Sequence, residues 1–331
     1  MTNYGSAIRE GFAYLLKNHP EVFTIGQGLW SPWYVGNTMT GLDSEFGQDR
    51  VIDTPVSELA VTGAAVGAAL CGKRPIVIHP RVDFFLLAVD QLVNQAAKWR
   101  YMFGGDVDVP IVVRAIINRG GEQGAQHSQA LHSWFSHIPG LRVVMPSTPA
   151  DARDLLIASV LGKDPVLFID DRWLYDLEAD IPPIDPNLRL TDIKPRVDII
   201  GSDITLVGCS YSAHLCRIAA DELRKYGFSA EVIDLRIINP LDRLLVAESV
   251  RKTGRLLAVD GDWATCGLAG EIIASVVEQL TPSAFKDTPR RLTLPDAPAP
   301  TSKPLERAYY FNSSDVTSAA LKILKNNETL I

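Results

Sequence analysis

The chain has 331 residues, 47% hydrophobic and 21% charged, with a net charge of -7 and a pI near 5.4. An acidic balance with dispersed Lys and Arg excludes the basic surface that nucleic acid or an anionic membrane requires. At about 100–200 residues per domain, this length predicts two domains, each able to bury its own core.

Cys71, Cys209, Cys216 and Cys266 have no C-x-x-C spacing and sit among apolar neighbours, so reduced core cysteines in a reducing compartment are expected. The first residues show no basic start followed by an apolar run. The apolar stretch around Ala60–Cys71 is too short and too rich in Gly and Ala to span a bilayer. A cytoplasmic protein with no membrane partner is the expectation.

In chain order, apolar residues at Ile8, Phe12, Leu15 and Leu16 predict a helix over Ser6–Lys17, followed by a buried strand at Val22–Ile25 and a long loop over Gly26–Gly47. Thr54-Pro55-Val56-Ser57-Glu58 opens a small-residue helix, Leu59–Gly72. A strand at Pro75–His79, a helix over Phe84–Met102 and a strand at Ile111–Ile117 follow. Val143–Met145, the Pro149–Leu161 helix and Val166–Ile169 continue the alternation, which predicts a parallel α/β sheet. A Pro-rich stretch within 181–195 reads as a linker. Beyond it, strands at Ile204–Gly208, Ala230–Leu235 and Leu256–Val259 alternate with helices over Ser212–Tyr226, Leu241–Lys252 and Gly267–Leu280. A proline-rich crossing at Pro295–Pro304 leads to a closing helix, Ser314–Lys325. The expected division is a first domain over 1–185, a linker over 186–200 and a second α/β domain over 201–331.

Two segments carry candidate chemistry. Pro55 and Ser57 mark a helix start, so Glu58 lies near a helix N-terminus, and complementing the helix dipole would account for it. The Ala/Gly-rich helix that follows predicts packing on all sides. That implies a buried start, where an unpaired carboxylate is costly and a protonated ring nitrogen is one suitable partner. In Gly120-Gly121-Glu122-Gln123-Gly124-Ala125-Gln126-His127, the glycines permit close backbone approach to a ligand. His127 reads equally as a structural or a catalytic residue.

Taken in order, Asp53-Thr54-Pro55-Val56-Ser57-Glu58, Ala65-Val66-Gly67-Ala68-Ala69, Asp90-Gln91, Asn94-Gln95-Ala96-Ala97-Lys98, Ala125-Gln126-His127-Ser128-Gln129 and Pro139-Gly140-Leu141 resemble the β subunit of the thiamine diphosphate (ThDP)-dependent 2-oxo acid dehydrogenases, pyruvate and branched-chain types, related to transketolase. The likeness continues through Val232-Ile233-Asp234-Leu235-Arg236, Asn239-Pro240-Leu241-Asp242 and Lys303-Pro304-Leu305-Glu306. It implies a ThDP pyrimidine-binding parallel-sheet domain plus a transketolase C-terminal-like domain. It also implies decarboxylation of a 2-oxo acid with acyl transfer to a lipoyl carrier. Glu58 matches the glutamate that bonds the aminopyrimidine nitrogen, where a carboxylate stabilises the protonated ring. Phe84 matches the aromatic that stacks on that ring. Tyr101 matches an active-site position, with a packing role equally open, and His127 a position near substrate and acyl acceptor.

The Gly-Asp-Gly motif with a downstream Asn that holds Mg2+ and diphosphate in ThDP enzymes has no counterpart here. Asp260-Gly261-Asp262 lacks the following Asn pair, and Asn326-Asn327 comes too late in the chain. The resemblance therefore implies no metal ligands in this chain and a partner α subunit that holds Mg2+. The implied assembly is α2β2, with a lipoyl acyltransferase core as a further possible partner.

Three departures bear on the substrate. In Ile78-His79-Pro80-Arg81-Val82-Asp83-Phe84, alternation along an extended segment lets His79, Arg81 and Asp83 face one cleft. Arg81 or His79 then contacts a polar or anionic substrate group, or Arg81 pairs locally with Asp83. Gln27 stands where the family carries a carboxylate. Asn118-Arg119-Gly120-Gly121-Glu122 belongs to a stretch that replaces a Gly-Pro-containing loop. These changes keep two rivals open: a lipoate-independent carboligase or transketolase-like transferase, and a non-catalytic scaffold subunit, against which the retention of Glu58 and His127 speaks.

Overall fold

In the computed structural model, which describes residues 1–325, the apolar runs become strands and the segments between them become helices. The Asn326-Asn327 pair lies outside the described residues. The first helix, Tyr4–Asn18, starts at Asn3, whose side chain accepts the Ser6 N–H at 2.8 Å. Its face of Ile8, Phe12, Leu15 and Leu16 is buried, as the spacing predicts.

Two units divide the chain. The first comprises Met1–Arg119 and Gln129–Ile193, and the second Gly120–Ser128 with the chain from Lys194 onward. The chain thus passes from one to the other within its Pro-containing stretch. It also lends the short Gly120–Ser128 segment to the second unit, a discontinuity that hydrophobic periodicity does not reveal.

In the first unit, Arg142–Val144, Val166–Asp171, Val112–Ile117, Arg74–His79, Val22–Gln27 and Val51–Thr54 lie side by side in that order, all parallel. Parallel pairing needs a crossover between neighbours, which the intervening helices supply. Gln27, Thr54, His79, Ile117 and Asp171 therefore end their strands at one edge of the sheet, the edge where open α/β sheets bind ligands. Gly26 pairs with both flanking strands, and a Cβ there would meet the Ile78 carbonyl oxygen at 2.3 Å, so only glycine fits. Beneath this edge, fully buried Arg114 grips Asp170 through two bonds of 2.9 and 2.8 Å and donates to Thr38 at 2.8 Å. That pair is satisfied on both sides, as a buried charge must be.

The expected Phe84–Met102 helix is broken. Val82–Phe85 forms a helical turn, Leu86–Ala88 a tighter one, Gln91–Ala96 a wider π turn and Ala97–Met102 a regular helix. The wide turn keeps Leu92, Ala96 and Ala97 against the core while Asn94 turns outward and donates to Asp90 at 2.7 Å.

In the second unit, Arg290–Leu294, Leu256–Trp263, Ile204–Gly208, Ala230–Asp234 and Arg196–Ile199 form a five-stranded sheet in that order, parallel except for the last strand. The two edge strands have no apolar run to announce them. Arg196 and Asp198 sit in an ion network with Arg217 and Asp234, with contacts of 2.6, 3.5 and 2.5 Å. Charge on an edge strand blunts further pairing and hides the strand in the sequence.

Candidate active site

Glu58 is the first residue of the Glu58–Leu70 helix. It lines a small cleft together with Gln27, Ser57, Ile78 and His79. The half-buried Glu58 carboxylate has no hydrogen-bond or ion-pair partner among the described residues. The helix behind it differs from the expectation of packing on all sides. Thr62, Ala65, Val66 and Ala69 are buried, whereas Ala60, Ala64 and Gly67 are exposed and Leu59 is 56% exposed. Small side chains let one face approach the sheet, while the other face is exposed among the described residues.

His79 ends its strand and is 3% exposed. Its Nε2 lies 3.2 Å from Thr62 Oγ1, and its ring packs 5.2 Å from that of Phe85. Burial pulls its pKa down from 6.5 to about 4, because an imidazolium loses hydration there. His79 is therefore a neutral wall of the cleft at pH 7.

Beyond His79 the chain bends at Pro80, and the helical turn Val82–Phe85 ends the alternation after Arg81. Asp83 is buried. Its Oδ1 accepts the backbone N–H and the side-chain amide of Gln129 at 3.1 and 3.0 Å, and its Oδ2 has no hydrogen-bond partner among the described residues. Burial pushes the Asp83 pKa up, opposed by the Gln129 bonds and by Arg81. Burial also pulls half-buried Arg81 below its ordinary value; Asp83 and Tyr34 counter this, and the positive charge of Arg172 adds to it. Arg172 follows the last residue of the Val166–Asp171 strand, is half-buried, and forms no ion pair with any described residue. Its neighbour Asp171 is taken by Arg119, which also stacks over Trp173 at 5.2 Å.

Phe84 is 37% exposed, while Phe85 is buried between His79 and Phe135. Tyr101 is 91% exposed, off the Glu58 cleft, on a separate depression shared with Arg100, Gly140 and Lys163. His127 is half-buried on the Gly120–Ser128 segment of the second unit, and its N–H donates to the Gly124 carbonyl at 3.3 Å. The structure thus joins Glu58 and His79 on one cleft and sets Arg81 beyond the same strand end.

Arg172 escapes sequence reasoning, whereas Gln27, Asp53, Asp260 and Asp262 are named there without the contacts they make. Arg172 has a signal, a charged Asp170-Asp171-Arg172 cluster closing an apolar strand. Gln27 donates to the Tyr34 hydroxyl at 2.7 Å, and Asp53 accepts the Gly28 N–H at 2.7 Å, so both fix the loop after Gln27. Asp260 and Asp262 lie buried in the Leu256–Trp263 strand and accept the backbone N–H groups of Ala269 and Trp263 at 3.1 and 2.8 Å. Among the described residues no group of three or more His, Cys, Asp or Glu is arranged to hold a metal ion, and no helix is long and apolar enough to cross a membrane.

Comparison with known proteins matches residues 1–176 to the transketolase pyrimidine binding domain and residues 194–316 to the transketolase C-terminal domain. The β subunit of acetoin:2,6-dichlorophenolindophenol oxidoreductase from Cupriavidus necator is 42% identical, covering 97% of each chain. The 2-oxoisovalerate dehydrogenase β subunit of Bacillus subtilis is 36% identical, covering 97% of this chain and 98% of the relative. The pyruvate dehydrogenase E1 β subunit of Rhizobium meliloti is 38% identical over 95% of this chain and 68% of its own length. Among solved structures, an inactive β4 tetramer of a split-gene transketolase superposes with a TM-score of 0.77 at 20% identity over 98% of each chain, a likeness of fold.

Proposed function

Because this chain belongs to the transketolase-like family of 2-oxo acid dehydrogenase β subunits, we propose that it decarboxylates a 2-oxo acid with ThDP and passes the acyl group to a lipoyl carrier. It acts with an α subunit, which holds Mg2+ and the diphosphate in an α2β2 assembly in the cytoplasm. A lipoyl acyltransferase core is the acceptor's carrier. The one observation that supports this most is the half-buried, unpartnered Glu58 carboxylate on its cleft, which suits a protonated ring nitrogen.

Bound ThDP would supply the nucleophilic carbon and the electron sink that decarboxylation of a 2-oxo acid needs. Everything else falls to side chains. Glu58 holds a proton on the ring nitrogen, as its match to the family implies. Phe84 offers a partly exposed ring for stacking, and Tyr101 a contact that the partner chain completes. Neutral His79 and the Gln27 amide wall the cleft without adding charge beside Glu58. His127 serves the substrate and the departing acyl group as a proton donor or acceptor.

Relatives named for acetoin, pyruvate and 2-oxoisovalerate share this scaffold, so the substrate is read from this chain's own strand ends. Arg81 and Arg172 favour a substrate with an anionic group, which a guanidinium grips through paired N–H bonds. The same pair supports a second reading, a lipoate-independent carboligase or transketolase-like transferase acting on an anionic acceptor.

The test is reconstitution with the α subunit, measuring ThDP affinity and turnover with and without a lipoyl domain. Acyl transfer that requires the lipoyl domain supports the first reading, and ketol transfer without it the second. Glu58→Gln with unchanged ThDP affinity and turnover would overturn both and leave the scaffold reading.

A further inference from the structure

The glycine loop that bears His127 is fastened at its tip by two glutamates. Glu122 adopts φ 62, a left-handed backbone that side-chain-bearing residues rarely take. Its N–H donates to Glu306 Oε1 at 2.9 Å. Its own Oε1 accepts the N–H of Lys303, the first residue of the Lys303–Tyr309 helix, at 3.3 Å. Each glutamate thus accepts a backbone N–H from the other's segment. Glu306 is only 7% exposed, and a carboxylate with so little water needs such donors. A third tie lies next to these. Gly124 packs on Thr301 so closely that a Cβ would come within 2.8 Å of Thr301 Oγ1. The His127 N–H to Gly124 carbonyl bond then closes the turn.

Gly120, Gly121 and Gly124 all have positive φ, so nothing in the loop's own composition confines it. A glutamate held left-handed among them breaks a local rule, and such departures persist only where surrounding contacts over-determine them. We propose that Glu122 and Glu306 are positioning residues, whose reciprocal clasp holds Gly120–Ser128 in one conformation and so sets the place of the His127 imidazole before substrate arrives. The clasp stands on this geometry alone; its catalytic consequence rests on the role given to His127 above.

The assembled enzyme carrying Glu122→Gly, Glu122→Gln, Glu306→Ala or the Glu122→Gly/Glu306→Ala pair is compared with the parent by amide hydrogen exchange over residues 123–128 and by kcat and KM. Glu122→Gly relieves the left-handed backbone, so folding is preserved. Glu122→Gly and Glu306→Ala each raise exchange about tenfold or more. Each lowers kcat by about tenfold while KM changes by less than about twofold. The double variant raises exchange further than either single, because each single breaks a different one of the two bonds. Glu122→Gln keeps an acceptor oxygen for Lys303 and retains most of the activity. Unchanged exchange in both single variants would overturn the clasp. Raised exchange with unchanged kcat would overturn its positioning role. His127→Ala with full turnover would instead remove the catalytic reading of His127, and the exchange data would still decide the clasp.

Discussion

Glu58 and His79 face the same cleft, one at the start of the Glu58–Leu70 helix and the other at the end of the strand that follows it. The helix packs Thr62 against His79, with 3.2 Å between Oγ1 and Nε2, so the two walls are tied together one turn below the carboxylate. Burial holds the His79 imidazole uncharged above about pH 4, so it adds no positive charge beside Glu58.

Glu58→Gln should therefore abolish the chemistry and not the fold. An amide keeps the size of the side chain but cannot stabilise a protonated ring nitrogen. Turnover of the reconstituted enzyme falls by about 100-fold or more, with weaker ThDP binding. Circular dichroism and the melting temperature stay near the parent values, since Glu58 has no partner among the described residues to lose.

His79 makes stability depend on pH with a definite sign. Its folded pKa of about 4 lies below its ordinary 6.5. Between those values the unfolded chain binds a proton that the folded chain does not, so stability falls as pH drops from 6.5 towards 4 and this contribution is intact above 6.5. The full effect is about 3 kcal/mol. Urea unfolding at stepped pH measures it, and His79→Leu should flatten that segment of the curve. An equally steep curve in the variant would assign the dependence to other groups.

Much of the scaffold is legible in the sequence because buried parallel strands and amphipathic helices announce themselves by period. The Ile204–Gly208 strand and the Pro149–Leu161 helix are predicted at their observed bounds. The Arg196–Ile199 strand is not, because its charged residues answer to Arg217 and Asp234 far along the chain. At the site, Glu58 is marked by Pro55 and Ser57 before it. Arg172 is marked only by the charged Asp170-Asp171-Arg172 cluster, and its nearness to Arg81 at another strand end is not written there. The clasp of Glu122 by the Lys303–Tyr309 helix is equally silent, because it joins segments distant in sequence.

Arg81 and Arg172 should govern recognition of an anionic substrate group. Arg172→Ala costs less than about 0.5 kcal/mol of stability, because no ion pair is lost. It raises KM for an anionic substrate by about tenfold and weakens the dependence of KM on ionic strength. Arg81→Ala acts in the same direction. Unchanged KM and salt dependence in both variants would remove the two guanidiniums from the substrate site.

Gln27→Glu tests whether the cleft relies on holding a single carboxylate. Gln27 and Glu58 line the same cleft, and Gln27 donates to the Tyr34 hydroxyl at 2.7 Å. A glutamate could take that bond in reverse, accepting from the hydroxyl, so the loop after residue 27 keeps its tie. The new negative charge beside Glu58 repels its carboxylate and competes with it for the protonated ring nitrogen. Turnover of the reconstituted enzyme should fall by about tenfold, with weaker ThDP binding. Unchanged turnover and ThDP affinity would mean that residue 27 lies too far from the Glu58 carboxylate, or too well hydrated, to couple to it.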